Sequence, residues 1–201
     1  MQQYSAYHKH ISLFSHVFMA EKLSLKTVKK LPISTLMRLI NKAKKSIKND
    51  ETWVKVCKEY DETPDIIDLI PMKFGTLDVS ASTNHGIVIL NYKLLCDGDF
   101  EKDYSYIIHE SVHYLQQTCT DKATKSADDG DYLHNKFEQE GFANQVDYIA
   151  NHEGDDKAED YVDDLLDHHD KSGKESDKLK DVLLEKVESK LEYLYVKYGV
   201  S

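Results

Sequence analysis

The chain has 201 residues, with 26 Lys or Arg against 36 Asp or Glu and a net charge of −10, and 40% of it is apolar. That is enough for one folded domain with a sizeable core and excludes a disordered chain, while the eight Gly and three Pro favour helices. No run approaches the ~18 apolar residues of a membrane span, the tightest cluster being Ile87-Val88-Ile89-Leu90, so a soluble protein is expected.

Residues 5–19 carry Tyr7, Ile11, Phe14 and Phe18 near helical spacing, which predicts an N-terminal helix. Charge is unevenly placed. Up to Asn49 ten basic residues face the single acid Glu21, giving +9 and leaving −19 for the remainder. Such a basic arm suits nucleic acid or an acidic partner, but Lys22, Lys26, Lys29, Lys30, Lys42, Lys44, Lys45 and Lys48 lack the aromatic interleaving of a single-strand binder. The favoured expectation is therefore that the arm covers the protein's own acidic half or is simply a solvated helix face.

Pro32 and Ser34 mark a helix start, with Leu36, Leu39, Ile40, Ala43 and Ile47 as its apolar stripe. A short helix over 52–60 follows, and Trp53 within it is expected in the core. After Pro64 and Pro71 the period changes to two, so residues 73–79 and 86–92 read as two strands of a hairpin around the turn-rich segment 80–86. His85 in that turn is expected to face solvent. Cys57, Cys96 and Cys119 are odd in number and lack CxxC spacing, which predicts reduced thiols and a cytoplasmic setting.

The informative stretch is His109-Glu110-Ser111-Val112-His113. HExxH places two imidazoles at i and i+4, one turn apart on one helix face, where both reach a single ion. Zn2+ suits such a pair, and Glu110, about 100° round the helix, is placed to act as general base on a metal-bound water. Tyr104, Ile107, Ile108, Val112 and Leu115 supply the apolar face of the helix, which should begin near Asp103. A third ligand is required, and it is sought in Phe137-Glu138-Gln139-Glu140-Gly141-Phe142-Ala143-Asn144, on a second helix over 135–151. The loop between the two helices, 120–131, is polar. An acidic amphipathic helix over 155–170 comes next, with His168 and His169 at its end as surface residues. A long helix over 177–198, striped by Leu179, Val182, Leu183, Val187, Leu191, Leu194 and Tyr195, closes the chain.

HExxH followed by a glutamate on a second helix resembles the gluzincin branch of the zincin metallopeptidases. Glu140-Gly141-Phe142-Ala143 resembles the EGFA segment of aminopeptidase-N-type enzymes, in which the glutamate is the third zinc ligand, so the resemblance implies His109, His113 and Glu140 as the metal set. Glu138 is the rival, because the two carboxylates of an E-x-E pair on a helix diverge by about 200° and only one can face the ion. Asn144 falls where thermolysin-like enzymes carry an aspartate that braces a zinc-bound histidine. The resemblance covers roughly residues 83–149. The 26 residues between His113 and Glu140 exceed the aminopeptidase spacing, and the chain is similar to the small metallopeptidase-like proteins of phage and bacterial genomes. In such enzymes the strand before the zinc helix runs along the cleft, a role that falls on 86–92.

The expected fold is α+β, a mainly helical single domain with a small sheet preceding the HExxH helix: a helical basic part over 1–70, a zincin-like core over 71–151 and C-terminal helices over 152–201. The expected function is a zinc-dependent metallopeptidase acting on protein or peptide in the cytoplasm, that of the host if phage-encoded. Glu110 is its base, and an electrophile is drawn from His134, Tyr148 and His152. Two alternatives stand beside it: a catalytically inactive zinc-stabilised binding protein, and a nucleic-acid-associated protease of the Spartan type using the basic arm.

Overall fold

The computed structural model describes residues 22–119 and 132–198, with side chains to 187. The predicted N-terminal helix, the loop over 120–131 and the last part of the C-terminal apolar stripe lie outside what it describes. The elements in order are α1 (Leu25–Val28), α2 (Ile33–Ile47), α3 (Glu51–Glu59), α4 (Ile66–Leu69), β1 (Met72–Gly75), β2 (Ala81–Asn84), β3 (Ile87–Asn91), two 3-10 turns (Tyr92–Leu95 and Phe100–Asp103), α5 (Tyr104–Thr118), a third 3-10 turn (Tyr132–His134), α6 (Lys136–Glu153), α7 (Asp155–His168) and α8 (Gly173–Tyr198). This is the mainly helical α+β arrangement expected. Among the described residues no helix is long and apolar enough to cross a membrane.

Local chemistry accounts for the helix ends that matter. Asp50 caps α3 by accepting from the Thr52 N–H at 2.9 Å, and Asn135 caps α6 through the Phe137 N–H at 2.9 Å. Gly154, at φ 100, breaks the chain between α6 and α7 where a Cβ would be strained.

The sheet corrects the expected strand pairing. Its order is β1-β3-β2: β3 lies in the middle, parallel to β1 and antiparallel to β2. The hairpin partner of β3 is thus 81–84, the segment whose Ser, Thr and Asn had read as turn, and the turn itself shrinks to His85-Gly86. Both residues have positive φ, 49 and 71, as a two-residue hairpin turn requires, and Asn84 sits opposite Ile87. β1 joins the other edge by a crossover instead of a hairpin. Asn91, buried at the end of β3, donates to the Leu77 and Val79 carbonyls at 2.7 Å each and fixes the bend between β1 and β2.

Two apolar clusters share α6. The first joins Ile40, Ala43 and Ile47 of α2, Trp53 and Val56 of α3, Phe74, Val88 and Leu90 of the sheet, and Ile107, Ile108, Val112 and Leu115 of α5, with Tyr148 from α6. Trp53 is fully buried there, its Nε1–H donating to the Pro64 carbonyl at 3.1 Å. The second cluster packs Phe142, Val146 and Ile149 of α6 against Val162 and Leu166 of α7 and Leu179, Leu183 and Val187 of α8. A buried polar knot between them sets the rotation of α6. Asp147 accepts from Thr52 of α3 at 2.6 Å, and Asn151 donates to the same Thr52 hydroxyl at 2.9 Å.

Part of the basic arm is matched by acidic and carbonyl groups of the protein itself. Lys44 is buried and donates to the Ile70 carbonyl at 2.6 Å, Lys48 pairs with Asp65 and Asp68, and Lys42 pairs with Glu101. Cys57 is buried, Cys96 partly so and Cys119 exposed, all as free thiols.

Candidate metal centre

α5 crosses α6 so that His109, His113 and Glu138 converge. The Nε2 atoms of His109 and His113 are 2.9 Å apart, and Glu138 Oε2 lies 3.5 Å from the first and 3.3 Å from the second. Among the described residues these three form the one group of metal-ligating side chains close enough to share an ion. Three donors at ~2.0–2.2 Å from a tetrahedral zinc would be separated by roughly 3.3 Å, so the carboxylate distances match such a site and the two nitrogens lie slightly inside it. Two imidazoles and one carboxylate are also the donor chemistry of an open, three-ligand zinc site.

The tautomer of His113 agrees with this. Gln116 donates through Nε2 to the Phe137 carbonyl at 3.1 Å and to Glu140 at 3.0 Å, which leaves its Oε1 facing His113 Nδ1 at 2.7 Å. An amide oxygen only accepts, so Nδ1 carries the hydrogen and the Nε2 lone pair is left pointing at His109 and Glu138. Three lone-pair groups in one place repel unless a cation or a proton sits among them. Burial would lower the His113 pKa, but its bond to Glu138 and the charges of Glu138 and Glu110 raise it to about 9; burial would raise that of Glu138, but its bonds with His109 and His113 hold it well below the usual carboxylate range. Glu138 also lies in the first turn of α6, where the helix dipole favours a negative charge.

Glu138, not Glu140, therefore faces the histidines. Residues seven apart on a helix share a face. Glu140 and Asp147 both turn to α3, where Tyr60 Oη donates to Glu140 at 2.7 Å and Thr52 donates to Asp147. Glu138 and Gln145 both turn to α5, where Gln145 reaches Ser105 at 3.5 Å. Gly141 is the pivot: a Cβ there would come within 2.9 Å of His109 Cε1, so only glycine lets α6 approach the ring. The EGFA-like segment thus contributes its glycine to the site while its glutamate points behind it. Asn144 does not brace a histidine either; it donates to the Glu140 carbonyl and accepts from Lys186 at 2.8 Å.

The other expected site residues separate into near and far. Glu110 is 7% exposed, borders the cleft beside His109, and its Oε2 is buried without a hydrogen-bond partner among the described residues. Tyr148 instead stacks on His152 at 4.1 Å in the first core cluster, His152 bonds Asp50 at 2.7 Å, and His134 is exposed beside Glu175 at 3.7 Å. None of the three lines the cleft that holds the histidine pair: Tyr148 shares the Gly141 face of α6 but lies two turns further along it, and His152 and His134 are engaged by Asp50 and Glu175. The tyrosine that does border this cleft beside Glu138 is Tyr132, missed in the sequence because it precedes α6 at the edge of an unpatterned loop. Its phenol neighbours Glu138, and its ring stands across Phe142 at 5.9 Å and stacks on His169 at 5.5 Å. Burial and the charges of Glu138 and Glu110 raise its pKa, so it remains a protonated donor. His168 and His169, expected only at the surface, also line the cleft.

The cleft has a volume of about 1630 Å³ and runs between residues 78–86 on one wall and α7 on the other. Its strand edge is β2, anchored to α5 by Thr83 Oγ1 donating to the Glu110 carbonyl at 2.8 Å and by the Gly86 N–H donating to Gln117 at 3.1 Å. β3, expected along the cleft, is paired on both sides and has no free edge. Against family models, curated proteins and solved structures, the chain finds no significant match.

Proposed function

We propose that the chain is a zinc-dependent metallopeptidase of gluzincin type, with His109, His113 and Glu138 as the metal ligands. The observation that carries this reading is the meeting of those three donors beside Glu110, a buried carboxylate that borders the same cleft and has, among the described residues, one oxygen without a hydrogen-bond partner. A buried carboxylate oxygen without a partner is costly and calls for an explanation.

When bound, zinc supplies Lewis acidity, polarising a carbonyl oxygen and acidifying water at its open position. The chain's own groups do the rest. Glu110 takes the proton of the attacking water and returns it to the departing amine. Tyr132 donates from its phenol to the oxygen on which negative charge develops. The free edge of β2 offers main-chain groups to an extended peptide, so the segment laid along the cleft joins the sheet as a further strand. The pairing of Lys42, Lys44 and Lys48 within the protein weighs against a nucleic-acid role for the basic arm.

Glu110→Gln keeps size and loses basicity. It should retain zinc and fold while peptide hydrolysis falls by about 10²–10⁴-fold or more. New termini from an unfolded protein mixture, counted by mass spectrometry, report activity without a chosen substrate. Zinc-loaded wild type that produces no more termini than Glu110→Gln, on that mixture and on folded candidates, refutes the peptidase reading in favour of a zinc-stabilised binding protein.

A further inference from the structure

Behind the metal ligands runs a chain of hydrogen bonds that the ligands themselves do not account for. Tyr60, just after α3, donates to Glu140 Oε1 at 2.7 Å, Gln116 donates to Glu140 Oε2 at 3.0 Å, and Gln116 Oε1 accepts from His113 Nδ1 at 2.7 Å. Gln116 is 1% exposed and lies one turn from His113 on the same helix face. The chain ends in a small hollow of about 400 Å³ bordered by Glu59, Tyr60, Asp61, Gln116, Cys119 and Glu140, none of which lines the cleft.

Each link fixes the next by its donor and acceptor chemistry. Glu140 has only acceptors, so it takes the Tyr60 hydroxyl hydrogen and one Gln116 amide hydrogen. With its amide nitrogen committed to Glu140 and the Phe137 carbonyl, Gln116 presents its oxygen to His113. Were the amide to flip, its N–H would oppose Nδ1–H, and the imidazole would have to move its hydrogen to Nε2, where the metal must bind.

Resting on the metallopeptidase reading above, we infer that Gln116, Glu140 and Tyr60 form a positioning relay that locks the tautomer and plane of His113 for the metal. Glu140, which resembles a ligand in sequence, serves the site from one shell further out. Among the described residues His109 has no matching brace: its Nδ1 is buried without a partner there, and its ring is held by the contact with Gly141 and by Phe142 at 4.5 Å. The relay thus acts through one histidine of the two.

The test uses the full chain with Zn2+ affinity, measured by chelator competition, and the visible spectrum of the Co2+-substituted protein, neither of which depends on activity. Gln116→Leu should weaken Zn2+ binding by about 10–100-fold and change the Co2+ band. Glu140→Leu should weaken it by about tenfold alone but by less than about twofold in the Gln116→Leu background, since links in series are not additive. The exchange Gln116→Glu with Glu140→Gln keeps an oxygen facing His113 and an N–H between the two positions. It should recover affinity to within a few-fold of wild type, which a purely structural role would not produce. Wild-type metal binding with unchanged affinity and Co2+ spectrum in folded Gln116→Leu and Glu140→Leu overturns the relay alone. Absence of Zn2+ and Co2+ binding by wild type overturns the metallopeptidase reading along with it.

Discussion

Substituting Gly141 by alanine tests the packing that brings α6 onto His109. The added Cβ would sit 2.9 Å from Cε1 and 3.1 Å from both ring nitrogens, whereas ordinary contacts begin near 3.4 Å, so the ring must move by about half an ångström. It has little room to do so: His109 is 5% exposed, with the Phe142 ring at 4.5 Å and the His113 ring at 4.7 Å. Crowding of this kind costs about 1–3 kcal/mol, and replacing glycine by alanine inside a helix returns ~1 kcal/mol, so the metal-free variant should lose only about 0–2 kcal/mol of stability. Zinc is less forgiving, since ligand distances hold to within about 0.2 Å. Zinc affinity by chelator competition should therefore fall at least about tenfold, beside a small change in urea unfolding of the metal-free protein. Wild-type zinc affinity in Gly141→Ala would refute the argument that this glycine seats the ligand.

Two further predictions concern stability. Burial, opposed by Lys102 and reinforced by Asp97, Asp99 and Glu153, raises the Asp103 carboxyl to about 7. The folded state then keeps this proton to higher pH than the unfolded chain, where the pKa is ~3.9, so the group's contribution is most favourable below pH ~4 and is lost as pH rises through about 7. Asp103 makes no side-chain cap bond to α5, so Asp103→Asn should raise stability at pH 8 by roughly 1–3 kcal/mol and flatten its pH dependence between 4 and 7; an unchanged slope in urea titrations would count against it. Asn91→Ala removes two bonds to the Leu77 and Val79 carbonyls and one to the Lys93 N–H, and should cost about 2–4 kcal/mol with faster amide exchange over 76–84. A loss below about 1 kcal/mol would show that the bend holds without it.

The sequence revealed the helices well because each long one repeats its apolar residues at helical spacing, as Ile107, Ile108, Val112 and Leu115 do on α5. β2 was hidden because Ala81, Ser82, Thr83 and Asn84 have the composition of a turn, and an edge strand over a cleft needs few apolar residues. The histidine pair and Glu110 were legible since one helical turn fixes their relation locally. The choice between Glu138 and Glu140 was not, because it depends on how α6 rotates against two neighbours distant in sequence. One signal did bear on it. Gly141 inside a helix carries a cost of ~1 kcal/mol and marks close approach to another element, and the acid one turn before it on that face is Glu138. Similarly, Gln116 at i+3 from His113 was in place to be read as a brace.

The central claim is most directly tested by zinc stoichiometry on purified, chelator-washed protein reloaded with one excess of zinc and desalted. Wild type and Glu140→Ala should each retain about one zinc per chain, the latter more weakly held, while Glu138→Ala and His109→Ala retain essentially none. Zinc that persists in Glu138→Ala and vanishes in Glu140→Ala would place the third ligand on the other face of α6 and contradict the account.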